Sequence, residues 1–174
     1  KKLALDPRCF DPNAVDEMGS KLNECAYRVS EVYKKTNHFK GTQLIFCDLS
    51  TPKCAFDDYE YGKDFDVYND LKYKLTILGI PKEEIAYIHE ANSDLQKQAL
   101  FSKVNEGEIR VLIGSTEKCG AGTNIQKRLI ALHHLDTPYR PSDMEQREGR
   151  IIRQGNQNSE VEIYTYVTER TFDS

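Results

Sequence analysis

The sequence predicts an α/β domain whose mostly parallel sheet is covered by helices on both faces. Three observations lead to this class. Short apolar runs, of the kind found in strands buried on both faces, recur along the chain. Amphipathic helical patterns separate most of these runs. Parallel strands need crossover connections, and helices on both faces of a sheet make a three-layer domain.

The chain is predicted to begin with a lead-in and a helix. Residues 1–19 are rich in Asp and Pro and show little periodicity, so we expect an extended segment there. Ser20 is placed to cap a helix over about 21–38. We assign residues 1–40 to this N-terminal part and residues 41–174 to the α/β domain.

Five apolar runs are predicted to be strands, and three helices are predicted to connect them. The strands read TQLIFCDL, EIAYIHE, IRVLIGS, RLIALHHL and EVEIYTYV, and they begin at residues 42, 84, 109, 128 and 160. An acidic, aromatic segment, residues 52–66, follows the first strand, and we interpret it as a surface excursion. The first of these helices is predicted over about 64–78 and is stopped by Gly79. The second begins at the capping box formed by Ser93 with Gln96 and stops at Gly107. The third begins at Pro141 and Ser142, with Glu145 as the capping-box partner.

The composition indicates one globular domain. The chain has 174 residues, of which 39% are hydrophobic and 30% charged. No apolar run approaches the roughly 18–20 residues that span a bilayer, so we predict no membrane association. The chain opens with KKLALDPRCFDP, which has neither Met nor the apolar core of a signal peptide. We therefore expect a domain excised from a longer, cytoplasmic protein.

The cysteines and histidines do not suggest a metal site. The five cysteines form no CxxC pair, and their odd number and irregular spacing are typical of reduced thiols in the cytoplasm. Adding the four histidines gives no zinc-finger spacing. His133 and His134, at a strand end, are interpreted as packed or solvated rather than as ligands or bases.

The charge is distributed unevenly. The net charge of −4 does not indicate a protein that holds nucleic acid by bulk charge. Residues 103–155, however, carry 9 basic and 7 acidic side chains, and this segment is the positive part of the chain. Contact with nucleic acid would therefore depend on individually placed groups.

Three loops are expected to meet at one edge of the sheet, because ligands of such sheets sit beyond the carboxyl ends of the strands. The loops read DLST, STEKCGAGTN and DTPYRPSD, and they follow the first, third and fourth strands. The second has glycines that let the backbone approach a ligand, and hydroxyls that suit phosphate oxygens. A dinucleotide fingerprint fits poorly because no third glycine follows, and a Walker A loop is excluded because GK[ST] is missing. A purely structural glycine turn remains an alternative.

The third loop leads into a helix with the sequence SDMEQREGRIIRQG. Arg150 and Arg153 are three residues apart and would share a helical face near Gln146. Two guanidinium groups in this arrangement suit a polyphosphate. The alternative is a solvated helix in which Glu145 and Glu148 offset the charge.

Taken together, these motifs resemble the C-terminal RecA-like lobe of superfamily 2 helicases, and most closely that of Swi/Snf-type DNA translocases. QLIFCDLST is similar to motif IV, VLIGSTEKCGAGTN to motif V, LDTPYRP to the DPxWNP stretch and QREGRIIRQGN to motif VI. More narrowly, the chain resembles the helicase part of phage and mobile-element proteins that join such a motor to an adenine-specific DNA methylase. Three substitutions depart from the pattern: Tyr139 replaces Trp, Cys119 replaces a Gly and Asn156 replaces Gln.

The resemblance implies that ATP and Mg²⁺ bind between this lobe and an N-terminal RecA-like lobe of the same parent chain, which carries the Walker A lysine. Arg153 matches the arginine finger, Arg150 its partner and Gln146 the residue that orients them. The positions expected near the nucleotide are Gly120, Gly122, Asn124 and Gly149. The positions expected to hold the DNA backbone are Asp48, Ser50, Thr51, Ser115, Thr116 and Lys118.

The resemblance describes one of two function classes that the sequence allows. The first is the second motor lobe of an ATP-dependent DNA helicase or translocase, inactive as an isolated fragment. The second is a non-catalytic RecA-like module that binds DNA or docks a partner. A Rossmann-type enzyme is disfavoured by the missing fingerprint. Lys118 could contact phosphate or be solvated beside Glu117, and the tyrosines at 59, 61, 68 and 73 are expected to pack rather than to stack on bases.

Overall fold

Parallel strands form one sheet at the centre of the protein. This computed structural model describes residues 20–119, 123–138, 140–149 and 155–167. Within these residues the strands are β1 (Thr42–Phe46), β2 (Ile85–Tyr87), β3 (Val111–Gly114), β4 (Leu129–His134) and β5 (Glu162–Thr165). Their order is β2-β3-β1-β4-β5, and every neighbouring pair is parallel.

Helices connect the strands and cover the sheet. The α-helices are α1 (Lys21–Lys35), α2 (Val67–Ile77), α3 (Asp94–Asn105), α4 (Thr116–Cys119) and α5 (Pro141–Gly149). Short 3-10 helices occupy Phe56–Asp58, Lys82–Glu84, Ile88–Glu90 and Gln126–Arg128. Ser20 and Ser93 cap α1 and α3, because each hydroxyl accepts a hydrogen bond from a backbone amide of the first turn.

The sheet has a hydrophobic core on each face. On one face Leu22 of α1 and Leu71 of α2 belong to the same core as Ile45. On the other face Phe101 of α3 packs with Leu44 and neighbouring strand residues. Leu44 and Ile45 belong to different cores because successive strand side chains point to opposite faces. The prediction of a three-layer α/β domain with a parallel sheet is confirmed.

A buried arginine joins α1 to the sheet. Arg110 is 1% exposed, and its Nε and Nη2 donate to the carbonyl oxygens of Gly41 and Tyr33 at 2.7 and 2.9 Å. Its Nη1 donates to the side chain of Asn37 at 3.0 Å. The positive charge therefore lies among acceptors in the last turn of α1 and just after it, where the helix dipole favours a cation. The sequence analysis did not identify this residue.

Several predicted boundaries were wrong by a few residues. α1 ends at Lys35 rather than near residue 38, and α2 begins at Val67 because Asp66 is its cap. The run EIAYIHE contains a three-residue strand, after which Ile88–Glu90 turns into a 3-10 helix. The other strands are also shorter than their apolar runs, because hydrophobic side chains stay buried beyond the last paired residue.

Two capping boxes also differ from the prediction. Gln96 reaches back to the amide of Asn92 instead of that of Ser93. α5 begins at Pro141, so Ser142 lies in its first turn and is not its cap. Proline is suited to the first helical position because a backbone N–H at this position would have no acceptor within the helix.

The acidic segment 52–66 is a surface excursion that folds back onto α2. The carboxylate of Asp66 accepts hydrogen bonds from the amides of Lys53 and Asn69, and the Asn69 side chain donates to the carbonyl of Cys54. Of the four tyrosines, Tyr68 is buried and Tyr59 donates a hydrogen bond to Asp70. The rings of Tyr61 and Tyr73 stack on each other, and Tyr61 is 47% exposed. The lead-in 1–19 lies outside the described residues.

Four cysteines among the described residues, Cys25, Cys47, Cys54 and Cys119, carry free thiols. The described residues contain no group of three or more side chains that could hold a metal ion. No helix in the described part of the chain is long and apolar enough to cross a membrane.

Candidate functional site

The carboxyl ends of β1, β3 and β4 lie side by side at one edge of the sheet. In the strand register, Phe46 of β1 is level with Gly114 of β3 and with His134 of β4. The loops that follow these three strands therefore start from the same edge, as the sequence predicted. We call this edge, with residues 48–51, 115–119, 136–138 and 140–149, the rim.

Arg147 of α5 is the central residue of the rim. It is 1% exposed, and its guanidinium lies 4.9 Å from the centre of the Phe46 ring. Nε donates to the hydroxyl of Thr116 at 2.7 Å, and Nη1 donates to the carbonyl oxygen of Asp136 at 2.7 Å and contacts His134 Nδ1 at 3.2 Å. Nη2 contacts Asp136 Oδ1 at 2.8 Å and Asp48 Oδ2 at 2.9 Å.

These contacts engage all three nitrogens of the guanidinium. Arg147 makes four hydrogen bonds, to Thr116, His134 and two oxygens of Asp136, and an ion pair with Asp48. This pairing matters because a buried charge is costly unless its partners satisfy it. We call Arg147 together with Thr116, Asp48, Asp136 and His134 the Arg147 cluster.

The two carboxylates of the Arg147 cluster also bind the loop backbones. Asp136 Oδ2 accepts hydrogen bonds from the amides of Asp48 and Leu49 at 2.7 and 2.8 Å. Asp48 accepts from the Thr116 amide at Oδ1 and from the Thr116 hydroxyl at Oδ2, both at 2.7 Å. The loops after β1 and β3 and the helix α5 are thus held together by one set of charged hydrogen bonds.

Electrostatics keeps Asp48 ionised. Burial would raise the pKa of Asp48, but hydrogen bonds from Thr116 and the charge of Arg147 outweigh it and hold the pKa below its usual range. A protonated Asp48 would give up part of its ion pair with Arg147.

His134 is neutral and carries its proton on Nε2. Because Arg147 Nη1 can only donate, His134 Nδ1 must accept, and Nε2 then donates to Glu148 Oε1 at 3.0 Å. Burial lowers the pKa of His134 and the charge of Arg147 lowers it further. His133 is buried between Gln43 and Tyr166. The interpretation of this histidine pair as packed is confirmed.

The residues predicted to hold the DNA backbone fall into three groups. The side chains of Asp48 and Thr116 are used within the Arg147 cluster. The hydroxyls of Ser50 and Ser115 accept hydrogen bonds from the amides of Val67 and Lys118. Thr51 and Lys118 are exposed at the rim.

The residues predicted to lie near ATP are described only in part. Gln146 is half-buried on α5, and Gly149 is exposed at the carboxyl end of this helix. Asn124 is exposed, and its carbonyl accepts a hydrogen bond from Asn105. Arg150, Arg153, Gly120, Gly122 and Tyr139 lie outside the described residues.

The sequence analysis missed Arg147, although one signal was present. Asp48 and Asp136 each stand two residues after the end of a strand, and those strands are neighbours. Two carboxylates at the same level of neighbouring parallel strands need a cation between them. The basic residues of the following helix were candidates for this role.

Comparison with protein families identifies the domain type. The family described as "Helicase conserved C-terminal domain" matches residues 29–155, which is well over half of the chain. This match includes β1 to β4, α5 and the whole Arg147 cluster.

One curated relative comes from a bacteriophage. Over 92 residues the chain is 30% identical to "Defense against restriction protein B" of Escherichia phage P1. The aligned part covers 51% of this chain but only 4% of the phage protein. The chain therefore corresponds to a small part of that relative.

Solved structures share the fold. The C-terminal part of the Fun30 ATPase domain superposes with a TM-score of 0.61 at 21% identity, covering 95% of this chain and 49% of that one. The helicase MrfA bound to DNA gives 0.53 at 14% identity, with coverages of 82% and 18%. Dbp5 L327V of S. cerevisiae, bound to RNA and ADP BeF3, gives 0.54 at 22% identity, with coverages of 83% and 32%. The parallel sheet with its helices is thus the RecA-like fold of helicase C-terminal lobes, and the chain belongs to the helicase conserved C-terminal domain family.

Proposed function

We propose that this domain is the second motor lobe of an ATP-dependent DNA helicase or translocase of superfamily 2. The observation that supports it is the placement of α5. Arg147 fixes this helix at the rim, beside the loops after β1 and β3. A helix held in this way can present the arginines that follow it to a phosphate on another lobe.

The proposed chemistry is charge stabilisation during phosphoryl transfer. Arg153 acts as the arginine finger, Arg150 contacts the phosphates beside it, and Gln146 orients them. An arginine finger is worth a rate factor of about 10³–10⁵ in related nucleotide hydrolases. It acts only when the lobes close, so hydrolysis depends on the conformation of the motor. Gly120, Gly122, Asn124 and Gly149 line the nucleotide side of the interface.

The donor set of the rim explains why Mg²⁺ is assigned to the other lobe. Asp48 and Asp136 stand two residues after the ends of β1 and β4, and both are engaged by Arg147 and by backbone amides. Magnesium is usually held by one or two carboxylates together with the substrate phosphates. We therefore propose that the N-terminal RecA-like lobe of the same parent chain holds ATP and Mg²⁺.

The proposed DNA contacts are made by the outer parts of the rim loops. Thr51 and Lys118 are exposed, and the hydroxyls of Ser50 and Ser115 lie on the same loops. Such groups position a nucleic-acid backbone without reading its sequence. We assign Asp48 and Thr116 to holding these loops in place, since a carboxylate bound to Arg147 has no reason to approach a phosphate.

The narrower relationship is also a proposal. The motif forms favour a Swi/Snf-like motor that acts on DNA. The phage P1 relative, a protein named for defence against restriction, supports a phage or mobile-element origin. We propose that the parent protein is cytoplasmic and that it also carries an adenine-specific DNA methylase domain.

The test is DNA-stimulated ATP hydrolysis by the full-length parent protein and its Arg153→Ala variant. We expect DNA-dependent turnover that falls by about 10² or more without the finger. Lys35→Ala is the matched control, because this exposed lysine ends α1 and precedes the amino end of β1, away from the rim. Equal turnover in Arg153→Ala would contradict the motor role and favour the non-catalytic module.

A further inference from the structure

We infer that Arg147 is a positioning residue that couples the loops proposed to contact DNA to the helix α5, which precedes the proposed arginine finger. This inference rests on the proposed function and adds to it the residues that transmit the signal. Loss of the Arg147 cluster is expected to reduce the stimulation of ATP hydrolysis by DNA.

The first step is the chemistry of the contact itself. Arg147 reaches acceptors that follow three different strands: Asp48 after β1, Thr116 after β3 and Asp136 after β4. A lysine has three donors on one nitrogen and cannot reproduce a flat fork with five partners. The contact is therefore specific for arginine.

The second step is the position of Thr116. Its hydroxyl donates to Asp48 Oδ2 and accepts from Arg147 Nε, and both distances are 2.7 Å. Its neighbour Ser115 and the nearby Lys118 belong to the proposed DNA contacts. A displacement of this loop by about 1 Å would take such a hydrogen bond beyond its working range. The loop after β3 cannot move without changing the contact to α5.

The third step concerns the loop after β1. The carboxylate of Asp136 holds the amides of Asp48 and Leu49 through Oδ2 and holds Arg147 through Oδ1. One rigid group thus joins the backbone of this loop to α5. Both loops proposed to meet DNA therefore share their anchor with the helix that leads to the finger.

The last step is the short distance along the chain from the anchor to the proposed catalytic groups. Gln146 precedes Arg147 directly, and Arg150 follows three residues later. A misplacement of about 1 Å in a reacting group can cost about 10²-fold in rate. Small shifts of the anchored helix are therefore sufficient to change the rate of hydrolysis.

The experiment measures ATP hydrolysis by the full-length protein with saturating DNA and without DNA, and takes the ratio of the two rates. Because both rates come from one preparation, a partly unfolded variant leaves this ratio unchanged. We expect the ratio to fall about fivefold or more in Arg147→Met, the lower end of typical coupling between sites. Arg147→Lys is expected to restore little of it.

A matched pair at Thr116 tests the relay with smaller changes. Thr116→Ser keeps the hydroxyl and is expected to keep the ratio, whereas Thr116→Val keeps the shape, loses the hydroxyl and is expected to reduce it. This pair decides the question even if Arg147→Met does not fold. A wild-type ratio in the Thr116→Val protein would overturn the inference, and so would a wild-type ratio in a folded Arg147→Met protein.

The proposed function and the coupling can fail separately. Arg153→Ala is expected to lower hydrolysis with and without DNA alike, so its effect lies in the rates and not in the ratio. Normal rates in Arg153→Ala would reject the finger, whereas an unchanged ratio in the Thr116→Val protein would reject the coupling. A parent protein whose hydrolysis ignores DNA would overturn both.

Discussion

Gly114, the last residue of β3, sits where a side chain would collide with the start of the rim. A Cβ atom placed on Gly114 would lie 2.5 Å from Cys119 Sγ and 3.1 Å from Ile88 Cγ2. Carbon atoms do not approach sulfur that closely, so the neighbours would have to move. We expect Gly114→Ala to lower the free energy of unfolding by about 1–3 kcal/mol, the usual cost of overpacking. Urea unfolding of the two proteins measures this loss.

A second substitution separates steric overlap from other effects at Gly114. Cys119→Ala removes the sulfur atom that the new Cβ would meet, so the double variant should be more stable than the sum of the single changes predicts. Double-mutant cycles detect such coupling between residues in contact. Strictly additive losses would contradict the steric explanation.

Residue types alone did not distinguish the arginines of this chain. Arg147 and Arg110 are each 1% exposed, yet nothing in the sequence around them distinguishes them from ordinary exposed charged residues. The partners of Arg147 follow three different strands. Those of Arg110 lie at the carboxyl end of α1 and just beyond it. Such environments depend on how strands far apart in sequence become neighbours, which no local pattern contains.

At the scale of elements, β4 is tied to β1 and β5 by the buried side chain of His133. Its Nε2 lies 2.7 Å from Gln43 Oε1 on β1, and its Nδ1 lies 2.7 Å from the hydroxyl of Tyr166, just after β5. The Gln43 amide nitrogen donates to the carbonyl of Val29 on α1, so its oxygen faces the imidazole. Nε2 of His133 therefore donates. Burial lowers the pKa of His133, so the ring is neutral and Nδ1 accepts from the Tyr166 hydroxyl.

This neutral histidine makes stability depend on pH. Burial lowers the pKa of His133 to about 3, while the unfolded chain has a value of about 6.5. Between these values the unfolded state binds a proton that the folded state does not, so stability is lost as the pH falls below about 6.5. The slope from this group approaches about 1.4 kcal/mol per pH unit as the pH falls well below 6.5, and the lowered pKa of His134 acts in the same direction.

Urea unfolding at pH 7, 6 and 5 checks the expected slope, since most carboxylates titrate below this range. His133→Gln provides the control because it cannot titrate, and its slope should be smaller by an amount that approaches about 1.4 kcal/mol per pH unit below pH 6. Only the slope is compared, so a lower stability of the variant at pH 7 does not matter. Equal slopes would mean that His133 does not titrate differently in the two states.

The order of elements could be predicted from the sequence, whereas their ends could not. Continuous apolar runs predicted all five described strands, and the alternation with helices predicted the parallel sheet. The run EIAYIHE was predicted too long because Ile88 remains buried after the backbone has left the strand and formed a 3-10 helix. Hydrophobicity reports burial, and burial continues past the point where strand pairing stops.

The sequence predicted which loops lie together at the candidate site, but it did not predict which side chains contact one another there. The rule that parallel strands present their following loops at one edge brought Asp48, Thr116 and α5 together, as the structure confirms. The assignment of Asp48 and Thr116 to DNA came from motif resemblance. The structure shows their side chains bound to Arg147, because a buried cation attracts the nearest acceptors.

At the scale of the whole molecule, the proposed two-lobe motor assigns only part of ATP hydrolysis to this chain. Its sequence contains no GK[ST] motif, and the two carboxylates of the Arg147 cluster are engaged. We therefore expect the isolated chain to hydrolyse ATP no faster than the buffer, with or without DNA and Mg²⁺. A cooperative unfolding transition in the same preparation would show that the inactive chain is folded. Robust turnover by the folded chain would contradict the division of labour between two lobes, since every group that hydrolysis needs would then have to lie within these 174 residues.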